Sequence, residues 1–415
     1  MPQVLILADD LSGAADCGLA CMRPGLDAEV VLGPSISPSR ASILAVDADT
    51  RGLSPSEAAN RMYGLASSFK ESSTVLFKKI DSTLRGHVGV EILAVLAARR
   101  AFVPNAIAVM APAFPANGRT TPGGVLYLHG RPLHETEMWK YEEMHGEANI
   151  AQMLQGSGLR CSHVDLAFVR KALSTDQPQC QDVDVVVCDA ATDDDMLAIA
   201  RLAAAFGERA IWVGSAGLSH FIPEAAHLVP YAVAQQPRPL RPARPSLFVI
   251  GTAAARTREQ VALLLSSSQI HSVVVPPDIL LQGGSESADW QKSATDLSST
   301  LENGNDVILI CDSEPVMQSA DRGQISFALA EMTAALRNKV GTLVASGGET
   351  ARQVLDRWNV GSLQLYGELE LGVPISSASL GNSHTIAVIT KAGDFGQPDT
   401  LLHCLHWIKE GGIRE

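Results

Sequence analysis

The stretch VLILADDLSGAADCG, residues 4–18, combines the signals that decide the fold. Its first five residues form an apolar run typical of a buried strand, and the small residues that end it indicate a helix. Asp9 and Asp10 stand between the two, at the carboxyl end of the predicted strand. In open α/β sheets, ligands bind at that edge. The stretch therefore predicts an α/β fold with two acids where a ligand would lie.

Length and composition limit the classes of protein that this chain can be. Its 415 residues suggest two domains, and 46% hydrophobic with 19% charged residues predicts a sizeable core. The formal charge of 32 minus 45, or −13, argues against nucleic acid as the main partner, because nucleic-acid binding needs a basic surface. These numbers point to a small-molecule ligand and leave a homo-oligomer open.

Cysteine usage and the N-terminus indicate a cellular location. The seven cysteines are scattered, without the CxxC or Cys/His spacing of a disulfide framework or zinc site. The chain runs almost at once into a strand, with no basic segment of a signal peptide. No apolar stretch approaches the roughly 20 residues of a membrane span. We therefore expect a cytoplasmic protein that does not enter a membrane.

The stretch QQPRPLRPARPS, residues 235–246, marks the boundary between the domains. Four prolines alternate with three arginines, a composition that favours an extended linker. We expect a first domain over 1–234, a linker over 235–246 and a second domain over 247–415.

Apolar runs alternate with Ala-rich helical segments in both halves of the chain. The runs cover residues 42–50, 73–80, 89–100, 106–114, 183–190, 209–217, 246–251, 271–277, 306–313, 341–348 and 385–393. Continuous apolar runs suit parallel strands that helices cover on both faces. The pattern predicts two α/β domains with mostly parallel sheets.

Charged residues follow several predicted strands of the first domain. They lie in DADTRG (47–52), KKIDSTLRG (78–86) and APAFPANGRTTPGG (111–124). Guanidinium and ammonium groups suit a ligand's carboxylate, and carboxylates suit its hydroxyls. Because a strand alternates its faces, Lys79 and Asp81 should share the pocket. Alternatively, Asp81 or Ser82 only caps the following helix.

Glycines replace these charges at the strand ends of the second domain. They occur in VIGTAAART (249–257), ASGGETAR (345–352) and TKAGDFG (390–396). Glycine permits close backbone approach, and a helix N-terminus favours anions, so residues 347–350 resemble a phosphate cradle. GGET alone is also typical of a plain strand-to-helix turn. The chain lacks the GxxxxGK[ST], GxGxxG and GxSxG motifs of P-loop proteins, standard Rossmann dehydrogenases and serine hydrolases.

Six motifs, taken in order, resemble the four-carbon acid sugar kinases, which include 3-oxo-tetronate, D-threonate and D-erythronate kinases. They are ADDLSGAAD (8–16), DTR (49–51), KKIDSTLRG (78–86), PAFPANGRTT (112–121), SGGETA (346–351) and TKAGDFG (390–396). The resemblance implies an N-terminal domain that binds the sugar acid and a C-terminal domain that binds ATP. It also implies phosphoryl transfer to the terminal hydroxyl across a cleft between them.

The resemblance also implies roles for individual residues. By motif position, Asp10, Arg51, Lys79, Asp81 and Ser82 would hold the substrate, and we add Asp9 and Arg119 from the same strand ends. Gly251, Thr252, Gly347, Gly348, Glu349, Thr350 and Gly393 would line the nucleotide site, and we add Lys391 and Gly396 from the last motif. Many members carry a serine-rich turn after the strand LFVIG, whereas here Thr252 is followed by three alanines.

The resulting hypothesis is Mg²⁺-ATP-dependent phosphorylation of the 4-hydroxyl of a four-carbon sugar acid. Asp81 and Asp10 are the candidates for the base, with Asp81 preferred because a lysine shares its strand face. Lys79 would contact the substrate or the phosphate, and Arg51 or Arg119 would bind the carboxylate. Mg²⁺ follows from the use of ATP alone, so no metal ligand is assigned.

Two other functions fit parts of the pattern. A lyase or aldolase could use Asp9 and Asp10 as Mg²⁺ ligands and would act without nucleotide. A two-domain solute-binding protein would also hold a sugar acid, but it would normally carry an export signal and lack a phosphate cradle.

Overall fold

The computed structural model divides into two units, Met1–Gln235 (unit 1) and Gln236–Glu415 (unit 2). It describes residues 2–33, 39–69, 74–142, 144–171, 182–230, 240–251, 254–284, 287–311, 319–381, 384–393 and 395–412. Both units are α/β domains, as the alternation of apolar runs predicts. No helix in these ranges is both long and apolar enough to cross a membrane.

The described part of unit 1 contains one fully parallel sheet and one small antiparallel sheet. The strands are β1 Val4–Ala8, β2 Ala28–Leu32, β3 Ile43–Asp47, β4 Val75–Lys79, β5 Ile107–Ala111, β6 Arg119–Thr120, β7 Tyr127–Leu128, β8 Arg131–Pro132, β9 Cys161–Val164, β10 Val185–Cys188 and β11 Ala210–Gly214. The parallel order is β2-β3-β1-β4-β11-β5-β10-β9, and β6-β7-β8 form the small sheet. All five residues of β1 are fully buried, which explains its unbroken apolar sequence.

The helices of unit 1 connect these strands and cover both faces of the parallel sheet. They are α1 Leu11–Cys21, α2 Pro55–Ser67, α3 Val88–Arg100, α4 Glu137–Tyr141, α5 Ile150–Gln155, α6 Leu166–Lys171, α7 Asp193–Ala205, α8 Ala216–Ser219 and α9 Ile222–Ala225. Side chains cap several of them: Asp10 caps α1, and Ser54 with Glu57 forms a capping box at α2.

Unit 2 has a mixed sheet in its described residues. Its strands are β12 Ser246–Ile250, β13 His271–Val275, β14 Val307–Cys311, β15 Thr342–Ser346, β16 Ser362–Glu368, β17 Pro374–Ser379 and β18 Thr385–Lys391. In the order β13-β14-β12-β15-β18-β17-β16, the first five strands are parallel and the last two are antiparallel to their neighbours.

The helices of unit 2 follow the parallel strands. They are α10 Ala255–Ser267, α11 Ala288–Glu302, α12 Ser319–Thr333, α13 Gly348–Arg357 and α14 Thr400–Lys409. Phe248, Val344 and Ile389, one from each of three adjacent strands, are fully buried in one apolar cluster. This cluster supports the strand ends that carry the glycine motifs.

The mostly parallel sheets and the α/β class predicted from the sequence are confirmed. Most apolar runs are strands, but 89–100 lies within α3 because its apolar residues face the core around a helix. In the predicted linker, residues 240–245 lie in neither helix nor strand, while Ser246 already begins β12 and 235–239 lie outside the described residues.

Candidate functional site

The charged motifs of unit 1 meet at the carboxyl edge of its parallel sheet. Asp9 and Asp10 follow β1, Arg51 follows β3 and Asp81 follows β4, and these three strands are neighbours. The segment that carries Arg119 follows β5, which lies two strands from β4. Parallel strands end at the same edge, so the motifs converge although up to about 110 residues separate them.

Arg51 is bound by the two acids that follow β1. Its Nε and Nη2 donate to Asp9 Oδ2 over 3.0 and 2.6 Å, and its Nη1 lies 2.9 Å from Asp10 Oδ2. A third carboxylate, that of Asp81, lies 3.5 Å from Nη2. With four of its donor contacts taken by carboxylates, Arg51 fixes the arrangement of the acids around it.

Asp81 is held by its own turn and by Arg85. Arg85 donates from Nε and Nη2 to the two carboxylate oxygens over 2.9 and 2.8 Å. The backbone N–H of Thr83 donates to Oδ2 over 3.0 Å, and the Thr83 hydroxyl donates to the same oxygen. Asp81 therefore caps a tight turn and belongs to the charged cluster. The alternative that Asp81 or Ser82 caps the following helix is wrong, because the N-cap position of α3 is His87.

These ion pairs shift the acidity of the buried groups. Burial alone would raise the pKa of Asp81, but Arg85, Arg51 and Lys79 hold that pKa well below its ordinary value. The same balance holds for Asp9. Burial would raise its pKa, but the charges of Arg51 and the neighbouring lysines lower it below the ordinary value. Both carboxylates are therefore ionised at neutral pH, and Asp81 is a weak base.

Asp10 differs from the other two acids in its access to solvent. Its side chain is 26% exposed, against 4% for Asp9 and 9% for Asp81. Asp10 Oδ1 accepts the N–H of Gly13 at the start of α1 over 2.9 Å. Asp10 is therefore the most accessible of the three carboxylates at this edge.

Asp9 offers a different feature to a ligand. Its Oδ1 is buried and accepts no hydrogen bond from any described residue. An acceptor in this position costs free energy unless a donor reaches it. A ligand hydroxyl is a donor of the required kind.

Lys78 and Lys79 face opposite ways, as the strand alternation predicts. Lys79 is buried near α1: a Cβ added to Gly13 would lie 2.5 Å from the Lys79 ammonium and 2.7 Å from Asp10 Oδ1. Burial would lower the pKa of Lys79, but Asp9 and Asp10 raise it, so the ammonium stays charged. Lys79 thereby adds a positive charge beside the acids of the site.

Behind the site, Lys78 forms a buried ion pair that sequence reasoning missed. Its ammonium lies 2.8 Å from Glu91 Oε2 on α3 and donates to the Lys79 carbonyl over 2.7 Å. Glu91 Oε1 accepts the Thr50 hydroxyl over 2.6 Å. This pair connects the backbone next to Arg51 with the backbone of Lys79. An acid inside the apolar run VGVEILAVL was the available signal.

Two further predicted residues lie at the same edge. Arg119 is half-buried; its Nη1 donates to the Asn117 carbonyl over 3.2 Å, and its Nε is buried without a partner among the described residues. Burial lowers the pKa of Arg119, and the charges of Asp81 and Arg85 also act on it. Ser82 is half-buried and forms no hydrogen bond with another described residue.

In unit 2, the predicted glycines end three neighbouring strands. Gly251 follows β12, Gly347 follows β15 and Gly393 lies two residues beyond β18. Helix α10 is the next element after β12 and α13 is the next after β15, and no described side chain caps the N-terminus of either helix. The first turns of both helices therefore place backbone N–H groups at one edge of the sheet, as a phosphate-binding site requires. Thr252 lies outside the described residues.

The glycine positions have distinct structural reasons. Gly347 has φ 105°, a region that favours glycine, and its N–H donates to the Lys391 carbonyl over 2.8 Å. At Gly251, a Cβ would overlap the Thr350 side chain, whose hydroxyl lies 3.0 Å from that of Ser326. The close approach of Gly251 to Thr350 brings the β12 and β15 turns together.

Lys391 and Gly396 serve the loop after β18. The buried Lys391 ammonium donates to the Thr257 hydroxyl over 3.1 Å and to the carbonyls of Ala392 and Gly393 over 3.0 and 3.1 Å. Gly396 has φ 89° and is crowded by Gln260 and Thr400. These contacts give Lys391 a part in shaping the loop, and its contact with the nucleotide stays a prediction. Glu349 lies on the first turn of α13.

Within the described residues, no group of three or more His, Cys, Asp or Glu side chains is arranged to hold a metal ion. The carboxylates of Asp9, Asp10 and Asp81 form ion pairs with arginines instead. This arrangement does not fit the use of Asp9 and Asp10 as a preformed pair of Mg²⁺ ligands, and no residue is assigned to a metal.

Comparisons with known proteins match both units. A family model described as "Sugar-binding N-terminal domain" matches residues 4–222, and one described as "Nucleotide-binding C-terminal domain" matches residues 247–401. The chain is 36% identical over 409 residues to a D-threonate kinase of Cupriavidus necator, covering 96% of each chain. It is 30% identical to a D-threonate kinase of Bordetella bronchiseptica, covering 99% of this chain and 98% of the relative.

More distant relatives carry the names D-erythronate kinase and 3-oxo-tetronate kinase. Among solved structures, a Salmonella typhimurium protein with the provisional name tRNA synthase superposes with a TM-score of 0.77 at 18% identity, covering 97% of this chain and 98% of that one. At that identity the likeness concerns the fold alone.

Proposed function

The chain belongs to the four-carbon acid sugar kinase family, and from this premise we propose that it phosphorylates the terminal 4-hydroxyl of a four-carbon sugar acid with ATP. The substrate is threonate, erythronate or 3-oxo-tetronate, the acids named for its relatives. One observation carries the proposal. The charged edge of unit 1 holds a buried acceptor, Asp9 Oδ1, and a buried donor, Arg119 Nε, that no described residue satisfies. A hydroxy acid supplies both missing partners.

In this proposal, the acids of unit 1 recognise the hydroxyl groups. Asp9 Oδ1 accepts a hydroxyl hydrogen, while Arg51 holds both Asp9 and Asp10 in place. The more accessible Asp10 orients the reacting hydroxyl and takes its proton. Phosphoryl transfer requires alignment and charge neutralisation more than a strong base, and the ammonium of Lys79 beside Asp10 provides a positive charge there.

Unit 2 holds the nucleotide in this proposal. The residues are Gly251, Gly347, Gly348, Glu349, Thr350 and Gly393, and Thr252, outside the described residues, stays a predicted contact. ATP, when bound, supplies the phosphoryl group. The uncapped N-termini of α10 and α13 bind its phosphates through backbone N–H groups, and the loop held by Lys391 borders the site. Mg²⁺ is expected from the use of ATP, and no described residue is assigned to it.

The experiment is a coupled ADP-release assay on the full chain. The acids are D- and L-threonate, D- and L-erythronate and the 3-oxo-tetronates, with Asp10→Asn and Gly348→Val as controls. We expect ADP release with at least one acid and a large loss in both variants. Turnover of an acid without nucleotide would support the lyase, and binding without turnover would support the solute-binding protein. Full activity in both variants would contradict the assigned sites.

A further inference from the structure

The sequence motifs at the charged edge of unit 1 carry the described arginines Arg51, Arg85 and Arg119, which differ in what they bind. Arg51 contacts Asp9, Asp10 and Asp81, and Arg85 contacts Asp81 and Glu142. Arg119 forms no ion pair with any carboxylate among the described residues. The one hydrogen bond that its side chain forms with a described residue leaves most of its five guanidinium N–H groups available.

Part of the Arg119 guanidinium group is shielded from solvent. The Nε atom is buried without a hydrogen-bond partner, although the side chain as a whole is half-buried. Burial accordingly lowers the pKa of Arg119, and the charges of Asp81 and Arg85 also act on that pKa. A buried donor without a partner costs free energy, which a bound acceptor removes.

The backbone around Arg119 is fixed at both ends. Phe114 and Arg119 exchange two backbone hydrogen bonds of 2.8 and 3.0 Å, which closes the turn between them. The Ser215 hydroxyl, after β11, donates to the Ala113 carbonyl over 3.0 Å, and a Cβ at Gly217 would lie 2.5 Å from that carbonyl. Arg119 therefore extends from a rigid turn, which suits a binding group that must keep its position.

On the far side of the same segment, a carboxylate that the sequence did not single out holds the chain. The buried Asp189, just after β10, accepts the N–H groups of Gly123 and Gly124 over 2.8 and 2.9 Å. Both glycines have positive φ, so the turn needs them. Asp189 positions the segment and does not reach Arg119 by a hydrogen bond.

We propose that Arg119 binds the carboxylate of the sugar acid, while Arg51 serves to hold Asp9 and Asp10. This inference rests on the proposed kinase function and decides between the two arginines that the sequence offered. The planar guanidinium matches a carboxylate with two parallel hydrogen bonds, whereas the compact ammonium of Lys79 does not. Arg119 is thus the residue that makes the enzyme select acids over the corresponding alcohols.

The test compares Arg119→Met with Arg119→Lys in the full chain, using D-threonate and D-erythronate as substrates and threitol as the uncharged analogue. Arg119→Met removes the charge-assisted hydrogen bonds between Arg119 and the substrate carboxylate. We therefore expect KM for the better acid to rise about 10- to 100-fold in this variant. We expect kcat to change by less than about threefold, because the reacting hydroxyl is at the other end of the acid. Arg119→Lys should give an intermediate KM.

Threitol and a matched arginine serve as controls. The preference in kcat/KM for the acid over threitol should fall in Arg119→Met by about the same factor as KM rises. Arg131→Met removes an arginine whose side chain is 61% exposed on the same small sheet, and it should leave KM unchanged. If Arg119→Met does not fold, the KM of Arg119→Lys for the acid still shows whether Arg119 binds the carboxylate.

An unchanged KM in either Arg119 variant would overturn this inference and leave the kinase proposal intact. A wild-type chain that releases no ADP with any acid would instead overturn the proposed function. A loss of acid preference in Arg51→Met without loss of stability would transfer the role to Arg51.

Discussion

At the carboxyl ends of its strands, unit 1 presents charged side chains, whereas unit 2 presents glycines and helix N-termini. In unit 1, Asp10 caps α1 with its own carboxylate and is in turn bound by Arg51. In unit 2, no side chain of the described residues caps α10 or α13. The same edge of an α/β sheet is therefore formed by charged side chains in one unit and by glycine turns and helix N-termini in the other.

This difference matches the two ligands of the proposed kinase reaction. A sugar acid carries hydroxyls and a planar carboxylate in a fixed relation, and directional side chains discriminate among such groups. A polyphosphate carries many equivalent oxygens, which backbone N–H groups and helix ends bind without side-chain specificity. Substitutions at the two edges should therefore affect different kinetic constants.

The largest effect is expected from Asp10→Asn. Removing the group that takes the hydroxyl proton should lower kcat by about 10²- to 10⁴-fold, measured by steady-state ADP release. The asparagine retains a cap for α1, so the urea midpoint should change little. Asp194→Asn, at an exposed acid of α7, is the matched control and should retain full activity. Wild-type kcat in Asp10→Asn would assign the proton transfer elsewhere.

Glu91→Gln should reduce stability more than any single surface change. It leaves the fully buried Lys78 without a counter-charge, which costs about 3–5 kcal/mol in the free energy of unfolding by urea. Glu224→Gln breaks an exposed pair with Arg201 and should stay within about 0.5 kcal/mol of wild type.

A double variant separates the two roles of this buried pair. Lys78→Met with Glu91→Leu should recover most of the stability, because apolar side chains can replace a buried ion pair. It should not recover kcat/KM, because the Thr50 hydroxyl and the Lys79 carbonyl lose their partners. Full recovery of both would make the pair purely structural.

Gly251→Ala tests the edge of the unit 2 sheet that carries the glycine turns. The added methyl group overlaps the Thr350 side chain, and overpacking of this kind costs about 1–3 kcal/mol. Because the displaced turn borders the predicted phosphate site, KM for ATP should rise while KM for the acid stays constant. Gly361→Ala, with open space around its Cβ, should match wild type in both constants. Equal shifts in the two KM values would contradict this assignment.

The smallest effect is the response of stability to acid. The pKa values of Asp9 and Asp81 are lowered in the folded chain, so the two groups stabilise it above the ordinary Asp value of about 3.9. This contribution is lost as the pH falls below that value and through the folded pKa values. Asp81→Asn should therefore show a shallower fall of the urea midpoint below about pH 4 than wild type. An unchanged slope would mean that Asp81 keeps an ordinary pKa.

The sequence predicted the fold where strands are fully buried. Such strands read as unbroken apolar runs, so β1, β3, β5 and β12 were found. It missed β16 and β17, whose sequences SLQLYGE and PISSAS carry serines and a glycine. Antiparallel pairing satisfies the backbone hydrogen bonds of these two strands. Such pairing does not require an unbroken apolar run, so the sequence carries no apolar signal for them.

Within the candidate site, the sequence identified residue types but not their partners. It predicted that Asp10, Arg51 and Asp81 lie at one edge of the sheet, because each of them follows a predicted parallel strand. It ranked Asp81 before Asp10 as the base, because it could not show that Arg85 and Thr83 hold the Asp81 carboxylate. The unpaired state of Arg119 likewise depends on which arginine the acids bind, which only the three-dimensional arrangement decides.

The central claim is that unit 1 binds the acid and unit 2 binds the nucleotide. Steady-state kinetics with acid and ATP both varied, on wild type, Arg119→Met and Gly251→Ala, test it most directly. We predict that KM for the acid rises only in Arg119→Met and that KM for ATP rises only in Gly251→Ala. A rise in KM for ATP in Arg119→Met, or in KM for the acid in Gly251→Ala, would contradict the claim.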